Sequence, residues 1–346
     1  MRYMEAVRAQ GRNLRISRKA VTDHLGTLDL APWRNRRLAL VGMGASTNAI
    51  ASVLPAYWSA GVQASCWLGT ELEAAGPAAG VEAVVAVSQT GQSAEIVSAL
   101  QHLPEACPRL VVTDVAGSPV ARLAAATVPL ALLADSAVRT IGYTGTVQTL
   151  LLLRDALAPA SAPAADWDAL ADQVEQLLPG AEELAAQLLP ELRSVTSFDV
   201  VGSGVHAGTA AQGALLLREV CKLPASGYET YQYLHGPIEA AGPGKALVVI
   251  GGAREARLAD DMAAAGATVL LVATGHAGQE TSGEGGPVVF RLSRAGATEL
   301  PAAGSVDLAQ AVLAILPLET ISGVLADDRE CVDGEFLYHQ DDTKVS

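Results

Sequence analysis

Two short apolar runs, Arg37 to Val41 (RLALV) and Phe198 to Val201 (FDVV), each end in a Gly-x-Gly turn and lead into a helical stretch. The turns are Gly42-Met43-Gly44 and Gly202-Ser203-Gly204. A strand, a tight glycine turn and a helix open a βαβ unit. Their recurrence restricts the chain to alternating strands and helices, with parallel sheets covered on both faces. Further strand-like runs follow the first turn at Val62–Leu68, Val81–Val87, Arg109–Thr113 and Val128–Leu133. After the second turn they lie at Ala246–Ile250, Thr268–Ala273 and Val288–Leu292. Helices are expected over residues 4–26, 48–60, 207–222, 254–265 and 306–325, and from Thr144 through Leu178 with breaks at Pro159 and Pro163. The Pro- and Gly-punctuated acidic segment 178–192 reads as the division between the two halves.

The 346 residues suit two domains. Hydrophobic residues make up 50% and aromatics 4%, and the 33 glycines favour tightly packed α/β layers over an aromatic-rich sandwich. A net charge of −14 argues against a nucleic-acid surface, because a polyanion would be repelled. Residues 1–37 are the exception, with nine basic and three acidic side chains. Such a run serves either as an arm for an anionic partner or, more simply, as a solvated helix face or part of a subunit contact. Cys66, Cys107, Cys221 and Cys331 are widely spaced, with no metal-ligand pattern, and read as buried thiols in a reducing compartment. The first residues lack the apolar core of a signal peptide. No uninterrupted apolar run approaches the ~18 residues of a membrane span, so a cytoplasmic protein is expected.

A glycine turn at the start of a helix aims backbone N–H groups outward and suits a phosphate. A dinucleotide fits poorly. Thr47 stands at the third glycine position of the first turn, and Glu71 fits the ribose role only loosely. The second turn, GSGVHA, matches the pattern through Ala207, but Glu219 lies within the following helix. A turn that only packs helix on strand is the simpler alternative for either copy. Ser88-Gln89-Thr90-Gly91-Gln92-Ser93 says more. It is a polar loop at the carboxyl end of a buried parallel strand, where open α/β sheets bind ligands. With Ser46, its hydroxyls and amides could surround a phosphate without a lysine or arginine. The competing role for Ser93 is an ordinary helix N-cap.

Taken in order, GMGAST, SQTGQS, QGALLLRE (Gln212–Glu219), His235-Gly236-Pro237 and Lys344-Val345-Ser346 resemble the sugar isomerase (SIS) domain family. The likeness is to the isomerase half of glucosamine-6-phosphate synthase and its phosphosugar isomerase, deaminase and deglycase relatives. It implies an α/β fold of two tandem SIS domains, each a five-stranded parallel sheet sandwiched by helices. The implied divisions are a helical segment over 1–30, a phosphate-binding domain over 31–180, a domain carrying the catalytic helix over 190–330, and a closing tail over 331–346. The resemblance assigns Ser46, Ser88, Gln89, Thr90 and Ser93 to the substrate phosphate. It makes Glu219 the base that moves a proton between C1 and C2, and gives His235 ring opening across a homodimer. Lys344 would lie against the sugar. No cofactor or metal is implied.

Gln212, Leu216 and Glu219 are spaced i, i+4, i+7 and share one helix face, and the synthase relatives place Glu, Lys and Glu there: the lysine position is Leu216 here. Without that cation, and beside an apolar side chain, the Glu219 carboxyl is expected to titrate high. The family's Ser-Thr-Lys stretch reads Arg139-Thr140-Ile141. The sequence opens directly on the helix that precedes the isomerase half, so glutamine-dependent amination is not expected. The expected activity is aldose–ketose isomerisation of a hexose or amino-sugar 6-phosphate, with or without amine release. The alternative is a non-catalytic sensor of a sugar phosphate.

Overall fold

The computed structural model describes residues 1–76, 80–274, 285–292, 309–338 and 340–345. The chain divides into two compact units, both discontinuous in sequence. One comprises Ala9–Asp135, Ile141–Ala171 and Phe336–Ser346; the other comprises Met1–Arg8, Ser136–Thr140 and Asp172–Glu335.

The first-sheet unit contains β1 (Leu38–Gly42), β2 (Ala64–Leu68), β3 (Ala83–Val87), β4 (Arg109–Val112) and β5 (Ala126–Val128). They form a parallel sheet in the order β2-β1-β3-β4-β5. Val41, Val84, Ala86 and Val111 pack on Leu72 of α4 (Gly69–Ala75) and on Ile96, Ala99 and Leu100 of α5 (Ala94–His102). The unit also holds α2 (Gln10–Leu25), α3 (Ala45–Ser59) and α6 (Ile141–Leu157), which pack together. Their buried hydroxyls are satisfied: Ser52 bonds Tyr143 (2.9 Å), and Tyr57 donates to the Leu150 carbonyl (2.8 Å). β1 and β3 are buried along their whole length, as apolar runs in a doubly covered sheet require.

The second-sheet unit contains β6 (Ser197–Gly202), β7 (Ala225–Tyr228), β8 (Lys245–Gly251), β9 (Thr268–Ala273) and β10 (Val288–Arg291), parallel in the order β10-β9-β8-β6-β7. Read from the other edge, this is the strand order of the first sheet. Val201, Leu247, Val249 and Leu271 pack on Leu258, Ala259 and Met262 of α10 (Ala253–Ala264) and on Tyr233 of α9 (Thr230–Leu234). α8 (Val205–Cys221) packs on β6 and on α12 (Leu316–Asp328), which follows α11 (Gln310–Ala314). The stretch Gln310–Asp328 is apolar and long enough to cross a membrane but is mostly buried as core.

Several expectations change. Residues 178–192 are not a linker: α7 (Trp167–Leu192) runs through them and contains Pro179 and Pro190. Within it Val174, Leu178, Ala181, Ala185, Leu188 and Leu192 form a buried stripe at helical spacing, and that packing outweighs the two prolines. The fifth strand ends where it was expected to begin, at Val128, because Pro129 has no N–H to continue the ladder. β7 was not foreseen. The N-terminal helix is two, α1 (Tyr3–Arg8) and α2, parted at Ala9. The helix start placed at Val306 lies outside the described residues. Of the four cysteines, which are all free, only Cys221 is buried. Basic side chains of the first 37 residues pair with carboxylates, Arg8 with Glu182, Arg18 with Asp168, Lys19 with Asp23 and Arg37 with Glu82, as a solvated face does.

Candidate functional site

In the first sheet, β1 and β3 are neighbours, and the helices after them leave in opposite directions. Their carboxyl ends therefore open a crevice at the topological switch point, where α/β sheets bind ligands. The turn after β1 begins α3, with Ser46 in its first turn. Gly42 lets that helix approach, since an added Cβ would lie 2.9 Å from the Thr47 nitrogen. Thr47 Oγ1 is buried there without a hydrogen bond.

The loop after β3 carries Ser88, Gln89, Thr90 and Ser93. Ser88 is 3% exposed and its hydroxyl bonds that of Ser93 at 3.0 Å. Ser93 stands at the N-cap position of α5 but makes no side-chain cap bond, so the ordinary capping role does not explain it. The backbone folds on itself and on the segment after β4: Gly91 N–H donates to Ser88 O, Asp114 N–H to Gln89 O, and Val120 N–H to Gly91 O. Gly91 has φ +65°, and a Cβ there would strike the Ser118 side chain. A glycine is thus required twice over. The two paired hydroxyls, one of them at the N-cap of α5, are uncharged donors of the kind that could take an oxyanion.

The tail closes on this loop within the same unit. Lys344 forms an isolated antiparallel bridge with Ser93, and Val345 N–H donates to Gln92 O at 2.9 Å. Six residues named from the sequence, Ser46, Ser88, Gln89, Thr90, Ser93 and Lys344, therefore share the first-sheet unit, five of them on the loop or paired with it.

Glu219 and His235 belong to the second-sheet unit. Glu219 lies in the last turn of α8, where burial pushes its carboxyl above the ordinary carboxylate value, while the charges of Lys222 and Arg139 pull it back. The expected direction holds, and Leu216 is fully buried on the same helix. The two cations were missed. Lys222 follows α8 and donates to the carbonyls of Glu219 (2.7 Å) and Glu335 (2.6 Å). Arg139 arrives on the 136–140 segment, 80 residues before Glu219 in the chain. His235 ends α9 and is exposed. Glu71, the loose ribose candidate, instead accepts the Leu68 N–H at the start of α4 (3.0 Å). Among the described residues no group of three or more His, Cys, Asp or Glu is placed to hold a metal ion.

No family model matches the chain. Glutamine–fructose-6-phosphate aminotransferase [isomerizing] 1 of Arabidopsis thaliana is 28% identical over 242 residues, which is 66% of this chain and 35% of the plant protein. This chain thus spans about a third of that relative. Glucosamine-6-phosphate deaminase of Thermotoga maritima superposes with a TM-score of 0.73 at 18% identity, over 99% of this chain and 98% of the deaminase. Tagatose-6-phosphate ketose/aldose isomerase of Escherichia coli superposes at 0.71 and 17% identity, over 97% and 96%. At such identities the likeness is one of fold.

Proposed function

We propose that this chain, which belongs to the sugar isomerase (SIS) domain family, is a phosphosugar isomerase with two tandem SIS domains. Its substrate class is a hexose or amino-sugar 6-phosphate, interconverted between aldose and ketose, with amine release as a further outcome for an amino sugar. The observation that carries this reading is the Ser88–Ser93 hydroxyl pair at the first switch point, with Ser93 turned away from capping its helix. The names of the relatives, which describe isomerising, deaminating and ketose/aldose enzymes of sugar 6-phosphates, support it.

In this reading Ser46, Ser88, Gln89, Thr90 and Ser93 hold the phosphate with neutral donors, so binding needs no arginine clamp. Glu219 takes a proton from C2 of the open-chain aldose, leaving an enediolate, and returns it to C1, while the proton of the C2 hydroxyl passes to the oxygen on C1. The C2–H electron pair becomes the C1–C2 double bond as the carbonyl π pair moves onto the C1 oxygen. A base that titrates above an ordinary carboxylate is better matched to that weak carbon acid. Lys344 supplies positive charge toward the developing oxyanion. His235 opens the ring as an acid–base group, contributed by the second subunit of a homodimer. Its exposure, and that of neighbouring Tyr231 at 58%, suit a surface met by another copy. We place the protein in the cytoplasm, where such substrates are found.

The test pairs ligand binding with turnover. Thermal shifts are measured with hexose 6-phosphates and amino-sugar 6-phosphates, followed by ketose formation and ammonia release. Stabilisation with turnover that Glu219→Gln abolishes is the expected result. Stabilisation without turnover of any of them selects the sensor instead, and no stabilisation by any sugar phosphate overturns both.

A further inference from the structure

The second sheet has the same strand order as the first, so β6 and β8 flank a switch point of their own. Six residues, 88–93, separate β3 from α5 at the first switch point, but Gly252 alone separates β8 from α10 at the second. The space is taken by a side chain. Glu255, in the first turn of α10, is 5% exposed. Its Oε1 accepts the hydroxyls of Ser203 (3.1 Å) and Thr230 (2.9 Å), and its Oε2 accepts the Gly252 N–H (3.1 Å). Gly251 lies against it: a Cβ there would come within 2.6 Å of the carboxyl carbon. His206, at the start of α8, is 6% exposed, and its Nδ1 has no hydrogen-bond partner. Burial holds that imidazole down at about 4, against the pull of the Glu255 charge. The donors come from three places: the glycine turn after β6, the start of α9 and the turn after β8. Convergent hydroxyls and a backbone N–H at helix starts are what an oxyanion requires.

We propose that the second switch point is an oxyanion site filled by the chain's own Glu255 carboxylate, which opens to inorganic phosphate or a phosphorylated ligand once that side chain is removed. The proposal rests on reading the first switch point as a phosphate site, and treats Glu255 as the built-in counterpart of that phosphate. It makes the second unit a partner in chemistry but not a second phosphate receptor.

The experiment titrates the full chain with inorganic phosphate by calorimetry. Glu255→Ala is expected to raise the stoichiometry from one phosphate per chain to two. Glu255→Gln, which keeps the volume, is expected to leave it at one. In a Ser88→Ala/Ser93→Ala background, Glu255→Ala restores one site, and Ser203→Ala with Thr230→Ala removes it again. Should Glu255→Ala not melt cooperatively, Glu255→Ser, which keeps a short acceptor for the Gly252 N–H, takes its place with the same expectation. If folded Glu255→Ala and Glu255→Ser both keep the wild-type stoichiometry, the proposal is wrong. If wild type binds no phosphate while Glu255→Ala binds one, the proposal stands and the reading of the first loop falls.

Discussion

The two switch points begin from one strand order and end in opposite states. At the first, a six-residue polar loop turns two hydroxyls toward each other and leaves the helix start uncapped by them. At the second, strand runs into helix through a single glycine, and a carboxylate fills the crevice. The Gly-x-Gly turns do not make this difference. Gly42 and Gly202 both serve close packing, since an added Cβ would come within 3 Å of Thr47 in one case and of His206 in the other. The difference lies in the loop after the third strand of each sheet: six residues in the first, one in the second. In the proposed reading, binding falls to the first unit and proton transfer, through Glu219, to the second.

That division can be broken by kinetics. The largest effect is expected from Glu219→Gln: kcat should fall roughly 10²–10⁴-fold, the usual worth of a general base, with KM little changed. A raised KM at unchanged kcat would place Glu219 in binding and erase the contrast. Next in size, Ser88→Ala with Ser93→Ala should raise KM on the order of 10²-fold, because hydrogen bonds to a charged group contribute about 1.5–3 kcal/mol each. A fall in kcat alone would show that the loop serves chemistry. Arg139→Ala is expected to cost less, about tenfold or under in kcat by the scale of a single partly solvated charge. It should also move the acid limb of the kcat profile to higher pH, since the Arg139 charge pulls the Glu219 carboxyl down. An unmoved limb would separate Arg139 from Glu219.

The smallest effect is on stability. The Glu219 carboxyl titrates higher in the folded chain than in the unfolded one, so its favourable contribution is present below the ordinary carboxylate value and is lost as pH rises through the folded value. Glu219→Gln should therefore match or trail wild type in denaturant melts near pH 4 and gain on it toward pH 7. A difference that stays constant with pH would contradict the burial of that carboxylate.

Much of this was legible in advance, for reasons of chemistry. β1, β3, β8 and β9 are buried on both faces and announce themselves as unbroken apolar runs. β7 does not, because Ala225-Ser226-Gly227-Tyr228 has little apolar mass. Gly227 is there because an added Cβ would press on the Ala211 backbone. The repeat itself held the missing signal: a strand after the helix that follows β6 corresponds to β2 after α3. The loop Ser88–Ser93 stands out as a candidate site because polar residues after a buried strand have few other uses. The charge environment of Glu219 could not, since Arg139 lies 80 residues away in the chain. Glu255 looks like any carboxylate in a first helical turn until Ser203 and Thr230 are seen to bond it.

The interleaving of the two units has a consequence for dissecting the protein. The chain passes between them at five peptide bonds, 8–9, 135–136, 140–141, 171–172 and 335–336. No single cut yields two self-sufficient pieces. Severing at 171–172 strands Met1–Arg8 and the Arg139 strip with one fragment, and Phe336–Ser346, with Lys344, on the other. Each fragment would lack parts that its own fold uses, so the halves are expected to regain structure only when mixed.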